Sequence, residues 1–333
     1  MQMNIYELIK WLRINKKNID GSIIKKIYRT YKNGIILELY KPGLEKKYLY
    51  LIPGNFVFLS NQKKNLESNS FILRLRKEFN GKNIKVDILD LERVVVVLPN
   101  DSSNYLVIEL FSEGNIIVLD ENWIIKYAMF YKDYKIRKIA KGEKYKVPTS
   151  SFSVPNKYED FYNIIKNSNK KDIVRCLAID LKLGGKYAEE FLKLSNIEKT
   201  KKSQDLSEKE IETLWNVYFN FINNNSILYD NRWVEDIDNV FENIFLKEIE
   251  EDTLEKEKQK YLKIIEEQEI ALKEIEKKIE ENRKIGEFLM KYAWIFSDYN
   301  IERIRKEFEN LGINVDIKEE GRKIIIQLKD QKS

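Results

Sequence analysis

The sequence predicts a multi-domain protein of α and β structure, in which a β-sandwich with flanking helices precedes a helical domain and a long coiled-coil helix with a small α/β tip. Three observations support this prediction. Short apolar runs separated by turn residues fill positions 1–150, helical periodicity replaces them at 158–225, and a Lys/Glu-rich heptad pattern begins near 253. The chain has 333 residues, enough for two or three domains. We therefore expect domains at 1–150, 156–226 and 235–333.

The first predicted domain mixes helices with short strands. Apolar residues at helical spacing predict an amphipathic helix over Ile5–Leu12 and a second helix over Phe71–Phe79. Turn signals at Asn33-Gly34 and Pro42-Gly43 separate the strands, and Ser112–Asn115 is typical of a hairpin turn. The predicted strands are Ile23–Tyr31, Ile35–Tyr40, Tyr48–Ile52, Val94–Val97, Tyr105–Phe111 and Ile116–Leu119.

The rest of the chain is predicted to be mainly helical. A linker at Thr149–Pro155 leads into helices joined by polar turns, and Ser207 with Glu210 forms a capping box. From about Thr253 to Glu287 the heptad pattern predicts a coiled-coil helix whose apolar stripe needs a partner. No long returning helix follows in the sequence, so we expect the partner to be another chain, including a second copy in a homodimer, or missing sequence. The further predicted elements are helices Phe161–Ile165, Ile173–Leu181, Tyr187–Leu194, Glu208–Ile222 and Ile301–Leu311, and strands Val315–Lys318 and Lys323–Leu328 around Gly321.

Composition excludes several classes of protein. The chain has no histidine and one cysteine, Cys176, which argues against histidine-dependent catalysis, a disulfide framework and a multi-cysteine zinc site. No P-loop motif and no apolar run long enough for a membrane span occur, so we expect a cytoplasmic protein without a cofactor. Residues 1–150 carry 27 basic and 16 acidic side chains (+11), and the remainder carries 32 and 38 (−6). This asymmetry fits a polyanion bound by the first domain, and lysine enrichment for solubility explains it equally well.

Two segments that contain arginine are candidate ligand contacts. Arg74, Arg76 and Lys77 lie on the second predicted helix, where they either contact phosphates or form a solvated face; this segment alone favours the solvated face. Asp90–Arg93 directly precedes the predicted strand Val94–Val97. A carboxylate followed by arginine at a strand edge can orient a ligand, but a local ion pair closing a turn is the simpler interpretation.

The third candidate is the diglycine Gly184-Gly185 between two predicted helices. Glycines permit positive φ angles and close approach, and the N–H groups at the start of the second helix can bind a phosphate with help from Lys182 and Lys186. This arrangement is typical of a helix-hairpin-helix, although a plain helical turn also favours glycine.

In order along the chain, these segments resemble the NFACT family of ribosome-associated quality control proteins. The matching segments are Gly21 with Ile27-Tyr28, Leu75-Arg76-Lys77, Asp90–Arg93, Val107–Asp120, Arg137 with Gly142, Tyr145 and Pro148, and Leu177–Glu190, followed by the heptad helix. The resemblance implies a first domain shaped like the N-terminal domain of formamidopyrimidine-DNA glycosylases. It also implies an RNA-binding factor that binds the large ribosomal subunit with stalled peptidyl-tRNA and recruits tRNA, typically alanine tRNA, for C-terminal tailing of the nascent chain.

The resemblance also implies site residues. An acidic residue in the first helix and an Asp-Arg pair serve tRNA recruitment in the family, and these positions fall on Glu7, Glu92 and Arg93. Here both acids are Glu, Asp90 replaces a glycine, and Phe56 and Phe58 stand where the family has Arg and His. The candidate RNA-binding set is therefore Glu7, Arg74, Arg76, Lys77, Glu92, Arg93, Arg137, Lys182, Gly184, Gly185 and Lys186, with no catalytic or metal residue.

Alternatives remain at this stage. The family's second coil and ribosome-contacting domain would follow Leu328, so the sequence is expected to be a truncated piece or one half of a naturally split protein. A nucleic-acid-processing enzyme of glycosylase or lyase type is suggested by fold analogy alone, and the chain begins Met1-Gln2 instead of with the N-terminal proline of those enzymes. A secreted adhesin would require a signal peptide, which the N-terminal helix does not resemble.

Overall fold

The computed structural model describes residues 2–64, 67–89, 91–100, 103–134, 137–147, 152–297, 300–320 and 323–328. Asp90, Pro148, Gly321 and the first part of the predicted linker, 149–151, lie outside the described residues. The chain divides into two compact units, Met1–Glu251 and Asp252–Ser333. The first two predicted domains fall in the first unit, and their finer division stays a prediction.

The first unit begins with helix α1 and a large antiparallel sheet. Six of its nine strands coincide with the predicted ones to within a few residues. The elements are α1 (Ile5–Ile19), β1 (Ser22–Arg29), β2 (Ile35–Tyr40), β3 (Lys47–Ile52), β4 (Phe56–Ser60), α2 (Ser70–Phe79), β5 (Asn83–Ile88), β6 (Val94–Pro99), β7 (Tyr105–Glu109), β8 (Asn115–Leu119) and β9 (Ile125–Ala128), followed by the two-residue strands β10 (Lys132–Asp133) and β11 (Lys138–Ile139).

The strands of the predicted β-sandwich form one continuous hydrogen-bonded sheet, and the stacking of its halves as a sandwich stays a prediction. Its strand order is β4-β3-β2-β1-β5-β6-β7-β8-β9, and every neighbouring pair is antiparallel. The two halves join where β1 pairs with β5 through Ser22–Ile84 and Ile23–Asn83. Because β5 pairs only with the first two residues of β1, the ladder that joins the halves is short.

Both faces of strands β2–β4 are buried, which explains their nearly continuous apolar sequences. Strand β5 instead alternates buried and exposed residues, since Ile84 and Val86 face the core while Lys85 and Asp87 face solvent. Strand β4 was not predicted, and its Phe56 and Phe58 are fully buried. The two positions that depart from the family pattern are therefore core residues.

The helical part of the first unit follows the prediction closely. It contains α3 (Tyr158–Lys166), α4 (Ile173–Arg175, continuing as a π-helix over Cys176–Asp180), α5 (Gly185–Leu194), α6 (Glu208–Asn223) and the short hairpin β12 (Ile227–Tyr229) and β13 (Arg232–Val234). The capping box of α6 is confirmed, because Ser207 Oγ accepts from the Glu210 N–H and Glu210 Oε2 accepts from the Ser207 N–H at 2.8 Å. The structure does not confirm the finer helix-hairpin-helix assignment.

The long helix α7 (Ile237–Lys291) begins earlier than its heptad pattern suggested, and the boundary between the units falls inside it. Its first turns are buried in the first unit, where Phe241 lies 5.4 Å from Phe56 and Phe245 lies 5.6 Å from Phe58 between ring centroids. Among the described residues, no helix is long and apolar enough to cross a membrane.

The second unit contains the rest of α7, α8 (Ile301–Asn310) and the hairpin β14 (Val315–Glu320) and β15 (Lys323–Leu328), which confirms the predicted α/β tip. Its small core is built from Ile295, Ile304, Phe308 and Ile317. The apolar side chains along α7 in this unit are exposed, so a coiled coil stays a prediction.

Candidate nucleic-acid interface

Helix α1 begins at a reciprocal cap that also fixes the carboxylate of Glu7, a predicted site residue. Asn4 Oδ1 accepts from the Glu7 N–H at 2.8 Å, and Glu7 Oε2 accepts from the Asn4 N–H at the same distance. This capping box satisfies two N–H groups at the start of the helix. It also points the other Glu7 oxygen into the protein, where the side chain is 1% exposed.

The buried Glu7 carboxylate is compensated by two donors from helix α5. Its Oε1 accepts from Lys186 Nζ at 3.0 Å and from the Tyr187 hydroxyl at 2.8 Å. Burial raises the pKa of Tyr187, and the nearby Glu7 raises it further, so the hydroxyl stays protonated and donates. A buried carboxylate is tolerated only when it is paired and hydrogen-bonded, and Glu7 has both kinds of partner.

The diglycine forms the elbow between α4 and α5. Gly184 adopts φ +78° and ψ 161°, a conformation that is essentially restricted to glycine, whereas Gly185 is the first residue of α5. Two bonds tie α1 to this elbow: Asn4 Nδ2 donates to the Leu183 carbonyl at 3.1 Å and the Tyr6 hydroxyl donates to the Leu181 carbonyl at 2.8 Å. The first turn of α1 therefore holds the elbow in place.

The predicted Glu92–Arg93 pair lies against the same region. Glu92 Oε1 accepts from Lys182 Nζ at 2.7 Å, and Arg93 Nη1 donates to Gln2 Oε1 at 3.1 Å. Burial lowers the pKa of Arg93 below its usual value, although the negative charges of Glu92 and Glu7 oppose this shift. Both carboxylates are therefore close enough to act on the charge of the guanidinium. Glu92 therefore ties the β5–β6 loop to the elbow, in place of the local ion pair that was predicted.

These residues make up one group, which we call the elbow cluster. It alternates acidic and basic side chains, and its lysines remain partly open: 29% of the Lys182 side chain and 37% of the Lys186 side chain are exposed. An open cleft of about 690 Å³ adjoins Lys182 and is lined by Phe152, Asn163 and Lys170 among others. The elbow cluster consists of Glu7, Glu92, Arg93, Lys182, Gly184, Gly185 and Lys186.

The remaining candidates contact other elements. Arg74 lies over the Tyr127 ring, 3.6 Å from its centroid, and Arg76 Nε donates to the Ile27 carbonyl at 2.6 Å, while Lys77 is exposed. Their contacts are with the sheet rather than with the elbow cluster.

Arg137 is the candidate whose surroundings differ most from the expectation. Its side chain is 10% exposed and forms a bidentate ion pair with Glu109, whose Oε1 also accepts from the Tyr145 hydroxyl at 3.0 Å. Burial lowers the pKa of Arg137, but the bond and charge of Glu109 raise it more, so the net direction is upward. This geometry indicates that Arg137 fixes the chain beside β7, and its role in RNA binding stays a prediction.

Sequence reasoning missed several residues that complete the elbow cluster. Asn4 could have been found, because Asn4 with Glu7 has the spacing of a capping box. Tyr187 lies in the matched segment Leu177–Glu190, but neither its contact nor that of Gln2 could be foreseen, since their bonds cross between distant parts of the chain. Within the described residues, no group of His, Cys, Asp and Glu is arranged to hold a metal ion.

Comparison with known proteins shows which family the chain resembles. The family profile described as NFACT N-terminal and middle domains matches residues 14–236. The chain is 27% identical to the archaeal Rqc2 homolog aRqcH of Methanocaldococcus jannaschii over 89% of its own length and 53% of that protein. It is also 27% identical to ribosome quality control complex subunit 2 of Saccharomyces cerevisiae, over 36% of its length and 12% of that protein.

A solved structure supports the fold. The N-terminal part of the fibronectin/fibrinogen-binding protein from Streptococcus suis aligns with a TM-score of 0.58 and 17% identity, covering 74% of this chain and all of that one. The chain spans about half the length of the archaeal relative and a smaller share of the yeast one. Because the profile covers most of the chain, and its interval contains the elbow cluster apart from Glu7, the chain belongs to the NFACT family.

Proposed function

We propose that this protein is an RNA-binding factor of ribosome-associated quality control. It binds the large ribosomal subunit carrying stalled peptidyl-tRNA and recruits tRNA, typically alanine tRNA, for C-terminal tailing of the nascent chain. Membership of the NFACT family supports this proposal, as do the ribosome quality control names of the archaeal and yeast relatives. The proposed role is cytoplasmic and is one of binding rather than catalysis.

The single observation that carries the proposal is the elbow cluster. Glu7 and Glu92 hold Lys186 and Lys182 in fixed positions, and both lysines keep part of their surface open. Arg93 lies beside them, and the first 150 residues carry an excess of eleven basic side chains. Fixed cations next to a helix N-terminus can bind the phosphates of structured RNA with little loss of side-chain entropy.

The coiled-coil stripe supports a further part of the proposal. On α7 the heptad side chains Tyr261, Ile265, Leu272 and Ile275 are each about half exposed or more. An exposed apolar stripe of this length needs a second helix. We propose that a second helix covers this stripe.

The test is tRNA binding by an Arg93→Ala variant. Removing one charge-assisted phosphate contact is expected to weaken binding roughly 10- to 100-fold at low salt. The log–log salt dependence should become shallower by about 0.7 to 0.9, since one fewer counterion is released. Fluorescence anisotropy with labelled tRNA at several salt concentrations measures both quantities.

Lys209→Ala is the matched control, because Lys209 is an exposed cation on α6 and its loss changes the net charge equally. The control is expected to bind tRNA within twofold of the parent. Two outcomes would contradict the proposal. In one, the parent does not bind tRNA even at low salt; in the other, both variants lose the same tRNA affinity while circular dichroism shows an intact fold.

A further inference from the structure

A segment after strand β9 exposes three aromatic rings in five successive residues. Phe130 is 39% exposed, Tyr131 is 56% exposed and Tyr134 is 40% exposed. Together with the basic residues that follow, this segment forms what we call the aromatic hairpin, residues 130–134 and 137–147. Large exposed rings this close together are typical of a binding surface rather than of a core.

The backbone beneath these rings is fixed by buried polar side chains. Asn115, which is 2% exposed, donates from Nδ2 to the Phe130 carbonyl at 2.8 Å and accepts at Oδ1 from the Phe130 N–H at 3.1 Å. The Tyr134 N–H donates to the Arg137 carbonyl at 2.9 Å, and the Arg137 side chain is held by Glu109. The rings therefore project from a rigid frame, which lowers the entropic cost of binding.

The charge of the aromatic hairpin suits a polyanion. Its described residues carry six basic side chains and two acidic ones, a net of +4. Lys138, Lys141, Lys144 and Lys146 are all exposed. Aromatic rings interleaved with cations are the combination that binds single-stranded nucleic acid, because bases stack on the rings and phosphates contact the cations.

The aromatic hairpin is continuous with the elbow cluster through the β7–β8 turn. The Leu110 N–H donates to the Arg93 carbonyl at 2.8 Å, and the next residue, Phe111, has its ring centroid 5.2 Å from the Arg137 guanidinium. Gln2 accepts from Arg93 and donates to the Ser112 carbonyl at 3.5 Å. An RNA bound at Arg93 would therefore have this surface as its neighbour.

We propose that the aromatic hairpin binds unpaired nucleotides of an RNA, with bases stacked on Phe130, Tyr131 and Tyr134. This inference rests on the proposed function. It adds a second RNA-binding surface in the first unit and names unpaired nucleotides as the part of the RNA that binds there. The positive charge and the continuity with Arg93 favour RNA over a protein partner.

The test compares two RNAs of equal length, a labelled unstructured dodecamer and a blunt dodecamer duplex. The variant Phe130→Leu/Tyr131→Leu/Tyr134→Leu keeps apolar bulk and charge but removes the rings. It is expected to weaken dodecamer binding at least about tenfold, because each lost stack contributes a sizeable factor. Duplex binding should stay within twofold, since paired bases do not stack on protein rings.

Two controls sharpen the comparison. Tyr131→Phe/Tyr134→Phe keeps the rings and should retain dodecamer affinity, and Phe219→Leu removes an exposed ring on α6 and should change nothing. An unchanged dodecamer affinity in the leucine variant, or an equal loss for the duplex, overturns the inference and leaves a protein partner as the occupant. If the parent binds tRNA in an Arg93-dependent way while the leucine variant binds both RNAs normally, the inference fails and the proposed function stands.

Discussion

Two oppositely charged side chains of helix α1 are buried three residues apart, and both find partners in the helical part of the first unit. Glu7 is held by Lys186 and Tyr187, whereas Lys10 Nζ donates to Asn224 Oδ1 at 3.0 Å and to the Ser226 carbonyl at 2.8 Å. Charges are buried only when such partners exist, so these bonds fix how α1 meets the residues that follow the sheet.

Lys10 gives the first unit a pH-dependent stability. Burial and, to a smaller extent, the charge of Arg13 lower the pKa of Lys10 from 10.5 to about 7, against the opposing charge of Glu7. Between pH 7 and 10.5 the unfolded chain binds a proton that the folded chain does not, so this residue makes the free energy of unfolding rise with pH.

The substitution Lys10→Met removes this titration while keeping a long apolar side chain. We expect the difference in unfolding free energy between parent and variant to grow in favour of the parent by up to about 1.4 kcal/mol per pH unit across that window. Urea denaturation at pH 6, 8 and 9.5 measures it. Lys17→Met, at an exposed position of the same helix, should follow the parent at every pH, and a Lys10→Met profile parallel to the parent would contradict the assignment.

At the scale of the element, the elbow depends on one glycine and not on its neighbour. Gly184 has φ +78° and ψ 161°, and a Cβ atom there would meet no atom within 4 Å, so the demand is conformational. Gly185 lies in the first turn of α5, where a Cβ atom would also meet open space.

We expect opposite results for alanine at the two positions. Gly184→Ala should destabilise the protein by about 1 to 3 kcal/mol through backbone strain, and should weaken tRNA binding because Lys182 and Lys186 flank it. Gly185→Ala should be neutral or stabilising by up to about 1 kcal/mol, since alanine is the better helix former. Urea denaturation and tRNA anisotropy check both, and equal effects of the two substitutions would rule out this account of the elbow.

The elements themselves were largely predictable because their signals are local. Apolar periodicity located α1, α2 and most strands, and the capping box located the start of α6. Strands β4 and β5 were missed although their signals are also local: β4 is continuously apolar, like the predicted Val94–Val97, and Lys85 and Asp87 give β5 the alternation of a half-buried strand. The joining of β1 to β5 depends on residues about sixty positions apart, which no local pattern encodes.

The candidate site was predictable in part for the same reason. The family pattern located Glu7, Glu92 and Arg93, and the glycines located the elbow, but spacing alone could not show that Lys186 pairs with Glu7 and Lys182 with Glu92. The family pattern also singled out Arg137, but as a candidate RNA contact. Its pairing with Glu109 follows from the path of the chain beside β7 and becomes visible only in three dimensions.

At the scale of the whole molecule, α7 changes its environment along its length. Its first turns are fixed by packing and by Asp238, whose carboxylate accepts from Trp11 Nε1 at 2.8 Å and from the Leu59 N–H at 2.7 Å. Beyond Glu251 the apolar side chains of the heptad are exposed. Most helical stability in proteins comes from packing, so the two parts of this helix should differ in local stability.

Native-state hydrogen exchange on the dilute chain tests this difference. Amides of residues 240–250 are expected to exchange slowly, near the rate set by global unfolding, whereas those of 256–280 should exchange much faster, because this part of the helix opens without disturbing a core. Slow exchange along the whole helix could also arise if the apolar stripes of two copies paired in a dimer. The variant Ile265→Glu/Ile275→Glu separates the two, because charges on the stripe prevent pairing but cost an isolated helix little. If the variant still exchanges slowly after Glu251, the exposed stripe does not need a partner for stability, and the proposed second helix loses its physical basis.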